Sequence, residues 1–521
     1  MNKKEKVELN QSLKLIAKTS FIVFILLILS KLLTYAYRII IARSFGPEMY
    51  GLFSLSIMIS GWFVAVFSFG LVEGIIRYIS FYRGQKKPNE VYYLIELTSK
   101  FLFMTSVIAC IILFLLSGFI SVTIFHNEKL IIFLKWFAIF VPFSIFTSLF
   151  VSILQSYEKV TWYSFIRYIV DNGSKLVFLL LFIFLGLKTD AVIFSYIAGI
   201  TGMFIVSYLV CRKLEVFSKK SNLKAKNKVE IRRQVFSYSF PLIFVSIISV
   251  LFVWIDSFVI GYFRDVTEVG IYNSAAPISA LFIIAPSLFI ALFFTLINKQ
   301  FGKNNIETVR EMSKQITKWI FILNLPFLIL ILLFPDAFIN IIFGSQYITE
   351  RATYFGITFS QAGMSLRFLA IGMFFYSIFI VSENLLSMSG RSKIVLFDIS
   401  TAAIANLLLN LSLVPRYGIA GAAFATMITY IFWSLITLFQ TRHYLSIVSL
   451  RRKMIYIFLV SLIPTILLFI IRYFVEINLV TLVLQTIFFF LSYFLLIILT
   501  KGFDENDWLI INSIKSKLSR N

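Results

Sequence analysis

Three features of this sequence predict an all-α membrane fold of about fourteen transmembrane helices. First, 59% of its 521 residues are hydrophobic and only 14% are charged, too little charge to coat a soluble surface of that size. Second, apolar stretches of roughly 20 residues, the length that crosses a bilayer, recur from Phe21 almost to Thr500. Third, the basic residues gather between those stretches, as cytoplasmic loops require.

The net charge of +23 therefore reads as a topology signal, and nucleic-acid binding is excluded. The sixty phenylalanines read as lipid-facing bulk in preference to an aromatic ligand path. Cys110 and Cys211 sit within or at the ends of spans, so no stabilising disulfide is expected. The first apolar run lacks a small-residue cleavage site and flows into Arg38 and Arg43, which marks a retained helix.

In chain order, the first six helices fall near 19–42, 49–79, 95–123, 130–155, 161–186 and 191–214. Six more fall near 235–262, 268–298, 316–343, 364–388, 392–414 and 418–441, and two follow near 452–473 and 478–500. The polar stretch 344–363 is an external loop or a helix extension. Residues 1–214 thus form an N-terminal lobe and 215–234 a basic cytoplasmic linker. Residues 235–445 form a C-terminal lobe, and 446–521 add two helices and a tail.

With the N-terminus inside, Lys3, Lys4, Lys6, Lys14 and Lys18 are cytoplasmic, as are Arg83, Lys86, Lys87, Arg391 and Lys393. Nine more basic residues, from Arg212 to Arg233, fall on the same side, followed by Arg442, Arg451, Arg452 and Lys453 and then the basic tail. The alternate loops hold one or two cations each, such as Lys129, Lys188, Arg264 and Arg416. This alternation places both termini in the cytoplasm and the protein in the cytoplasmic membrane.

Two segments, 304–318 and 508–520, set Ile306, Val309 and Ile316, or Trp508, Ile511, Ile514 and Leu518, at helical spacing beside basic residues. Both read as helices lying on the inner membrane surface.

The chain also repeats itself. "ARSFGPEMYGLFSLS" at 42–56 is echoed by "IGYFRDVTEVGIYNSA" at 260–275, with one inserted residue. "LQSYEKVTWYSFIRYIV" from Leu154 has the layout of "LSMSGRSKIVLFDISTA" from Leu386, and "LGLKTDAVIFSYIAGI" from Leu185 parallels "RYGIAGAAFATMITYI" from Arg416. Helices one to six thus pair with seven to twelve. An even number of spans per half gives parallel repeats, a transporter plan with the site between the halves.

Fourteen spans, this repeat and the motifs "ARSFGPEMYG", "RYISFYRG" and "RYGIAGAAFAT" resemble the polysaccharide-transporter family over nearly the whole chain. These are the O-antigen and lipid-linked oligosaccharide flippases of the superfamily that includes the multidrug and toxin extruders and the lipid II flippase. The resemblance implies movement of a polyprenyl-pyrophosphate-linked glycan to the outer leaflet. The expected partners are that glycan, membrane lipid and glycosyltransferases or a polymerase of the same pathway. No cofactor and no metal are expected, and the protein is expected to act as a monomer.

Ionisable residues inside spans are costly and point to function. Lys31 and Arg38 are two turns apart on one face of the first helix. Arg167, Asp171 and Lys175 step by four along the fifth helix. They read equally as a self-neutralising stripe or as cavity lining. Arg367 and Glu383 on the tenth helix lie about 24 Å apart along its axis, too far to pair. A diphosphate leaving water needs cations, and arginine forks suit it best. Lys31, Arg38, Arg167, Lys175 and Arg367 are therefore the candidate substrate-binding cations.

Asp256, Asp171 and Asp398 are candidates for ion coupling, although a core hydrogen bond to a neighbouring helix is the simpler reading of Asp256. Glu73 and Arg77, four apart, read as a local pair, and Arg83, Lys86 and Lys87 as a topology signal. Lys135 reads equally as cavity lining or as a side chain snorkelling to an interface. The small residues from Gly418 to Ala425 read as a close-packing face. Pro142, Pro241, Pro286 and Pro326 lie inside spans and are expected to kink them.

Two other functions compete with flipping. An exporter of cationic compounds on the same fold would want an acidic cavity, which the four cations of the first half oppose. A membrane glycan ligase or polymerase would need a sizeable catalytic loop. The connections here are short, and the sequence holds no HExxH, no CxxC and no phosphate-cradling glycine loop. An enzyme is therefore not expected.

Overall fold

The computed structural model describes residues 3–216, 223–303, 305–354, 357–500 and 502–503. The expected tail helix at 508–520 lies outside them. The chain is helical almost throughout, because in lipid a helix satisfies every backbone polar group internally.

Its first compact unit is Met1–Asn273. It contains α1 (Lys3–Phe67), α2 (Leu71–Gly84), α3 (Pro88–Phe119), α4 (Lys129–Ser156), α5 (Val160–Phe165), α6 (Asp171–Phe184), α7 (Asp190–Lys213), α8 (Ala225–Phe263) and the start of α9 (Val266–Ser279). A π-helical turn, Ile166–Val170, joins α5 to α6.

The second unit is Ser274–Asn521. Its elements are α10 (Ile284–Gly302), α11 (Ile306–Leu333), α12 (Pro335–Phe343), the strands β1 (Arg351–Tyr354) and β2 (Ile357–Ser360), α13 (Gln361–Met388), α14 (Ser392–Leu445), α15 (Lys453–Phe474) and α16 (Leu479–Leu499). These units do not follow the repeat: α8, which opens the second sequence repeat, packs with the first unit.

Eleven helices among the described residues are long and apolar enough to cross a membrane. Two of them are broken internally. α1 leaves helical geometry at Gly46 (φ 83°, ψ 177°), and α14 does so at Gly418 (φ 58°, ψ −141°). Pro47 follows the first break, where its missing N–H costs nothing at a new helix start. Glu48 lies in that first turn and pairs with Lys129 at 2.7 Å.

Large apolar side chains point outward along α15 and α16, Leu459, Ile463, Ile466, Leu484, Leu491 and Leu495 among them, while Gln485 and Tyr493 are buried. Tyr493 donates to the Ile322 carbonyl at 3.0 Å. Apolar side chains outside and polar ones inside are the pattern of a protein solvated by lipid.

Two expectations change here. The stretch 344–363 is neither a plain loop nor a helix extension. It carries an antiparallel hairpin in which Arg351 faces Ser360 and Thr353 faces Thr358, a register that suits its alternating β-branched and aromatic residues. The stretch 304–318 is not a separate surface helix. Residues 306–318 form the first turns of the continuous α11, where Val309 and Ile316 bury against Ile297, Ile320, Val381, Leu385 and Ile447. Its apolar stripe faces protein, which periodicity alone does not distinguish from facing lipid.

Candidate functional site

In the first unit, α1, α4, α6 and α7 pack together around charged side chains. Lys175 on α6 reaches back one turn to Asp171, Nζ to Oδ1 2.8 Å, and also lies over the Tyr196 ring at 4.5 Å. Both charged groups are largely covered, with side-chain exposures of 12% and 23%. A pair desolvated to this degree is held in place because removing either partner would strand the other charge. Room for the lysine stem comes from Gly199 on α7, where any Cβ would overlap the Lys175 side chain.

Aromatic rings and hydroxyls wall this pair. Tyr196 stacks on Phe137, with centroids 4.7 Å apart. The buried Tyr37 shares a hydrogen bond with Ser195 at 3.1 Å. Arg38, one residue on, lies within electrostatic reach of Tyr50, Tyr37, Tyr196 and Lys175. The Tyr50 hydroxyl in turn donates to the Asn273 carbonyl at 3.3 Å. Arg38, Asp171 and Lys175 thus belong to one network. Lys31 is exposed on the preceding turns of α1.

Arg167 has a different place. The stretch from Arg167 to Asp171 passes through the π-helical turn, whose wider winding carries Arg167 off the line of the Asp171–Lys175 pair. No ion pair joins Arg167 to Asp171 among the described residues. Both instead line a cavity of about 560 Å³, with Ser30, Glu73, Ser152 and Gln155 among the other walls. A second cavity, of about 310 Å³, is walled mainly by apolar groups, including Ile57, Val64, Phe140, Ile200 and Trp254.

Asp256 on α8 accepts a hydrogen bond from the Tyr272 hydroxyl on α9, and the neighbouring Asn273 donates to Ser257 at 3.0 Å. The expected Glu73–Arg77 pair does not form. Both side chains are exposed, and the Arg77 guanidinium lies 4.2 Å over the Tyr238 ring instead. Lys135 lies over the Phe114 ring at 5.5 Å.

In the second unit, Arg367 closes a helix end. Its Nε donates to the Leu332 carbonyl at 3.1 Å, and Arg472 donates to the Leu333 carbonyl at 2.5 Å. Two guanidiniums thus cap the last carbonyls of α11, where the helix dipole is negative. Asp398 is buried and accepts from Gln440 at 2.7 Å. Glu383 lies within its electrostatic reach and accepts from Tyr376 at 3.4 Å. Tyr376 packs against Tyr430 and Trp433.

Sequence spacing found the charges but missed what walls them. Tyr37, Tyr50, Ser195, Tyr196 and Gly199 carry no charge, and in an aromatic-rich chain nothing in their spacing sets them apart. Glu383 was visible as an acid inside a span, but its nearness to Asp398 depends on the packing of α13 against α14.

Paired charges, a polar cavity and a lipid-facing exterior define a multi-helix membrane transporter fold. Two family models match the sequence: one described as "Polysaccharide biosynthesis protein" over residues 16–282, and MatE over residues 241–412. The chain belongs to the polysaccharide biosynthesis protein family. It is 24% identical to a putative O-antigen transporter of Shigella flexneri, over 74% of this chain and 87% of that protein. It is also 24% identical to a probable low-salt glycan biosynthesis flippase of Haloferax volcanii, over 47% of this chain and 48% of that one. It shares its fold with the lipid II flippase MurJ in an inward closed conformation, with a TM-score of 0.71 and 16% identity over 91% of this chain and 98% of the other.

Proposed function

We propose that this protein is a flippase that carries a polyprenyl-diphosphate-linked oligosaccharide across the cytoplasmic membrane by alternating access, for the assembly of a cell-surface glycan. The observation that carries this reading is the pairing of a polar cavity, lined by Arg167 together with the carboxylates Glu73 and Asp171, with an apolar one in a chain of the polysaccharide biosynthesis family. An amphipathic cargo needs both surfaces. Arg167 is placed to offer forked hydrogen bonds to phosphate oxygens, while Ser30, Ser152 and Gln155 offer partners to sugar hydroxyls. Arg38 adds positive potential from the adjoining network, where Lys175 offsets Asp171, and Lys31 extends it along α1. Arg367, the remaining expected cation, has a capping contact in the second unit, and a role in binding rests on its releasing the Leu332 carbonyl.

The finer expectations belong to the same reading: fourteen spans in two repeats with helices thirteen and fourteen appended, both termini cytoplasmic, a single chain as the working unit, and delivery of cargo from glycosyltransferases or to a polymerase. The test is transport of a fluorescent lipid-linked oligosaccharide in proteoliposomes containing the purified full chain. The Arg167→Gln protein should bind and move it poorly while retaining its thermal stability. Wild-type rates in that variant would remove Arg167 from the mechanism.

A second reading is favoured by the Glu383–Asp398 acids and the MatE match, namely an ion-coupled exporter of small cations. Cationic dyes offered to the same proteoliposomes decide between them. Under the flippase reading, the acids serve as candidates for the coupling ion, with Asp256 and Asp171 as the further candidates.

A further inference from the structure

The turn between α2 and α3 forms part of a hollow that topology alone does not explain. Ser80, Arg83, Lys86, Lys87 and Glu158 are among the residues enclosing about 500 Å³ there. Arg83 is fixed in its wall. Its guanidinium donates to the Ser156 carbonyl at 2.6 Å, lies 4.5 Å over the Tyr157 ring and stands 3.9 Å from Glu158. A positive-inside signal needs charge near a membrane surface, but it does not need a guanidinium anchored on three sides. Three cations against one carboxylate leave an excess of positive charge, suited to a phosphate-class anion.

The hollow and the Arg167–Asp171 cavity lie along one face of α2. Glu73, Ile76, Ser80 and Arg83 step by three, four and three along α2 and so share one side of it. Glu73 and Ile76 line the cavity, and Ser80 and Arg83 line the hollow. About 15 Å of helix separates Glu73 from Arg83. α4 packs on α2 and runs the same way. Its Ser148, Ser152 and Gln155 line the cavity, and the chain continues through Ser156 to Glu158 at the hollow. A different side of α2 is taken by α8, where Tyr78 and Tyr82 donate to Gln234 and Arg77 covers Tyr238.

We infer that this hollow is the docking site for the diphosphate group of the lipid-linked cargo, from which the head group passes along the α2–α4 face to the Arg167–Asp171 cavity. The inference rests on the flippase reading and adds an entry step to it. Ordinary anionic phospholipid presents the same phosphate chemistry, so the experiment must separate the two.

The full-length protein in phosphatidylcholine nanodiscs is titrated with geranylgeranyl diphosphate, and in a second arm with phosphatidylglycerol, with binding read by native mass spectrometry. Two variants are compared with wild type. One is Arg83→Gln. The other, Gln85→Lys/Lys86→Gln/Lys87→Gln/Asn89→Lys, keeps the charge of the turn but moves it off the residues that line the hollow. Binding of geranylgeranyl diphosphate should weaken about tenfold or more in each, with phosphatidylglycerol binding unchanged. Unchanged diphosphate affinity in a variant that melts like wild type overturns the docking site. Parallel loss of both lipids overturns it in favour of a general head-group site. A wild-type protein that binds no geranylgeranyl diphosphate also overturns the docking site, while the flippase reading itself falls only if the proteoliposomes fail to move the lipid-linked oligosaccharide.

Discussion

Lys175 shows how one residue can be both structurally bound and functionally exposed to the field of its neighbours. Its ammonium is held between the Asp171 carboxylate and the Tyr196 ring, and Arg38 stands close enough to act on it electrostatically. Replacing Lys175 by methionine leaves Asp171 charged without that partner, so the detergent-solubilised protein should lose about 3 kcal/mol of stability. Adding Asp171→Asn should return much of it, because the double variant removes both charges. Thermal melts of the four proteins make the cycle, and additive losses would break the claim that the two form one unit. Gly199→Ala should mimic the single loss in part by pushing the lysine stem away. The network also makes a transport prediction. Lys31→Gln/Arg38→Gln should abolish glycan export in a folded protein, and export at the wild-type rate would exclude both cations from the path.

At the scale of elements, the two sequence echoes meet in space. A Cβ on Gly51 would overlap the Val266 carbonyl, and a Cβ on Gly270 would overlap the Pro47 carbonyl. Each glycine thus faces the carbonyl four residues before the other, a reciprocal contact that a two-fold relation between α1 after its break and α9 would generate. Backbones this close leave no space for a methyl group. Gly51→Ala and Gly270→Ala should each cost about 1–3 kcal/mol in thermal unfolding, while Gly61→Ala, which meets nothing within 4 Å, should be neutral or slightly stabilising. Equal effects at all three positions would mean that the crossing is looser than its geometry indicates. This contact also marks how much the sequence disclosed. The echo of 42–56 in 260–275 was legible, as were the break at Gly46, the small-residue face after Gly418 and the charges on α6. What spacing did not reveal was partner choice: Arg77 on Tyr238, Arg367 on Leu332 and Val309 within a protein core. Each depends on which helix packs alongside, and a helix in lipid shows similar apolar periodicity whether its stripe meets protein or acyl chains.

On the scale of the whole molecule, helix length and membrane thickness constrain the topology. α14 comprises 54 residues, about 81 Å at helical rise, against a hydrocarbon core of roughly 30 Å. A straight helix of that length would drive its middle, or one of its ends, far out of the bilayer. The break at Gly418 divides it into two segments that are each long enough to cross, and the same reasoning divides α1 at Gly46. Charge then orients the segments. Arg391 and Lys393 flank the start of the first and Arg442 and His443 lie in the last turn of the second, while Arg416 stands beside the break. If α14 is a hairpin of two spans, Arg416 faces outward and His443 inward. Single cysteines at these positions, introduced by Arg416→Cys and His443→Cys with Cys110 and Cys211 changed to serine, test this in the full-length protein. A membrane-impermeant maleimide should label position 416 in intact cells and position 443 only after permeabilisation. Labelling of both from the same side would make α14 a single span with an extramembrane extension. The number of crossings would then be odd, the two termini would lie on opposite sides, and the last helix of the second repeat would lose its counterpart in the first.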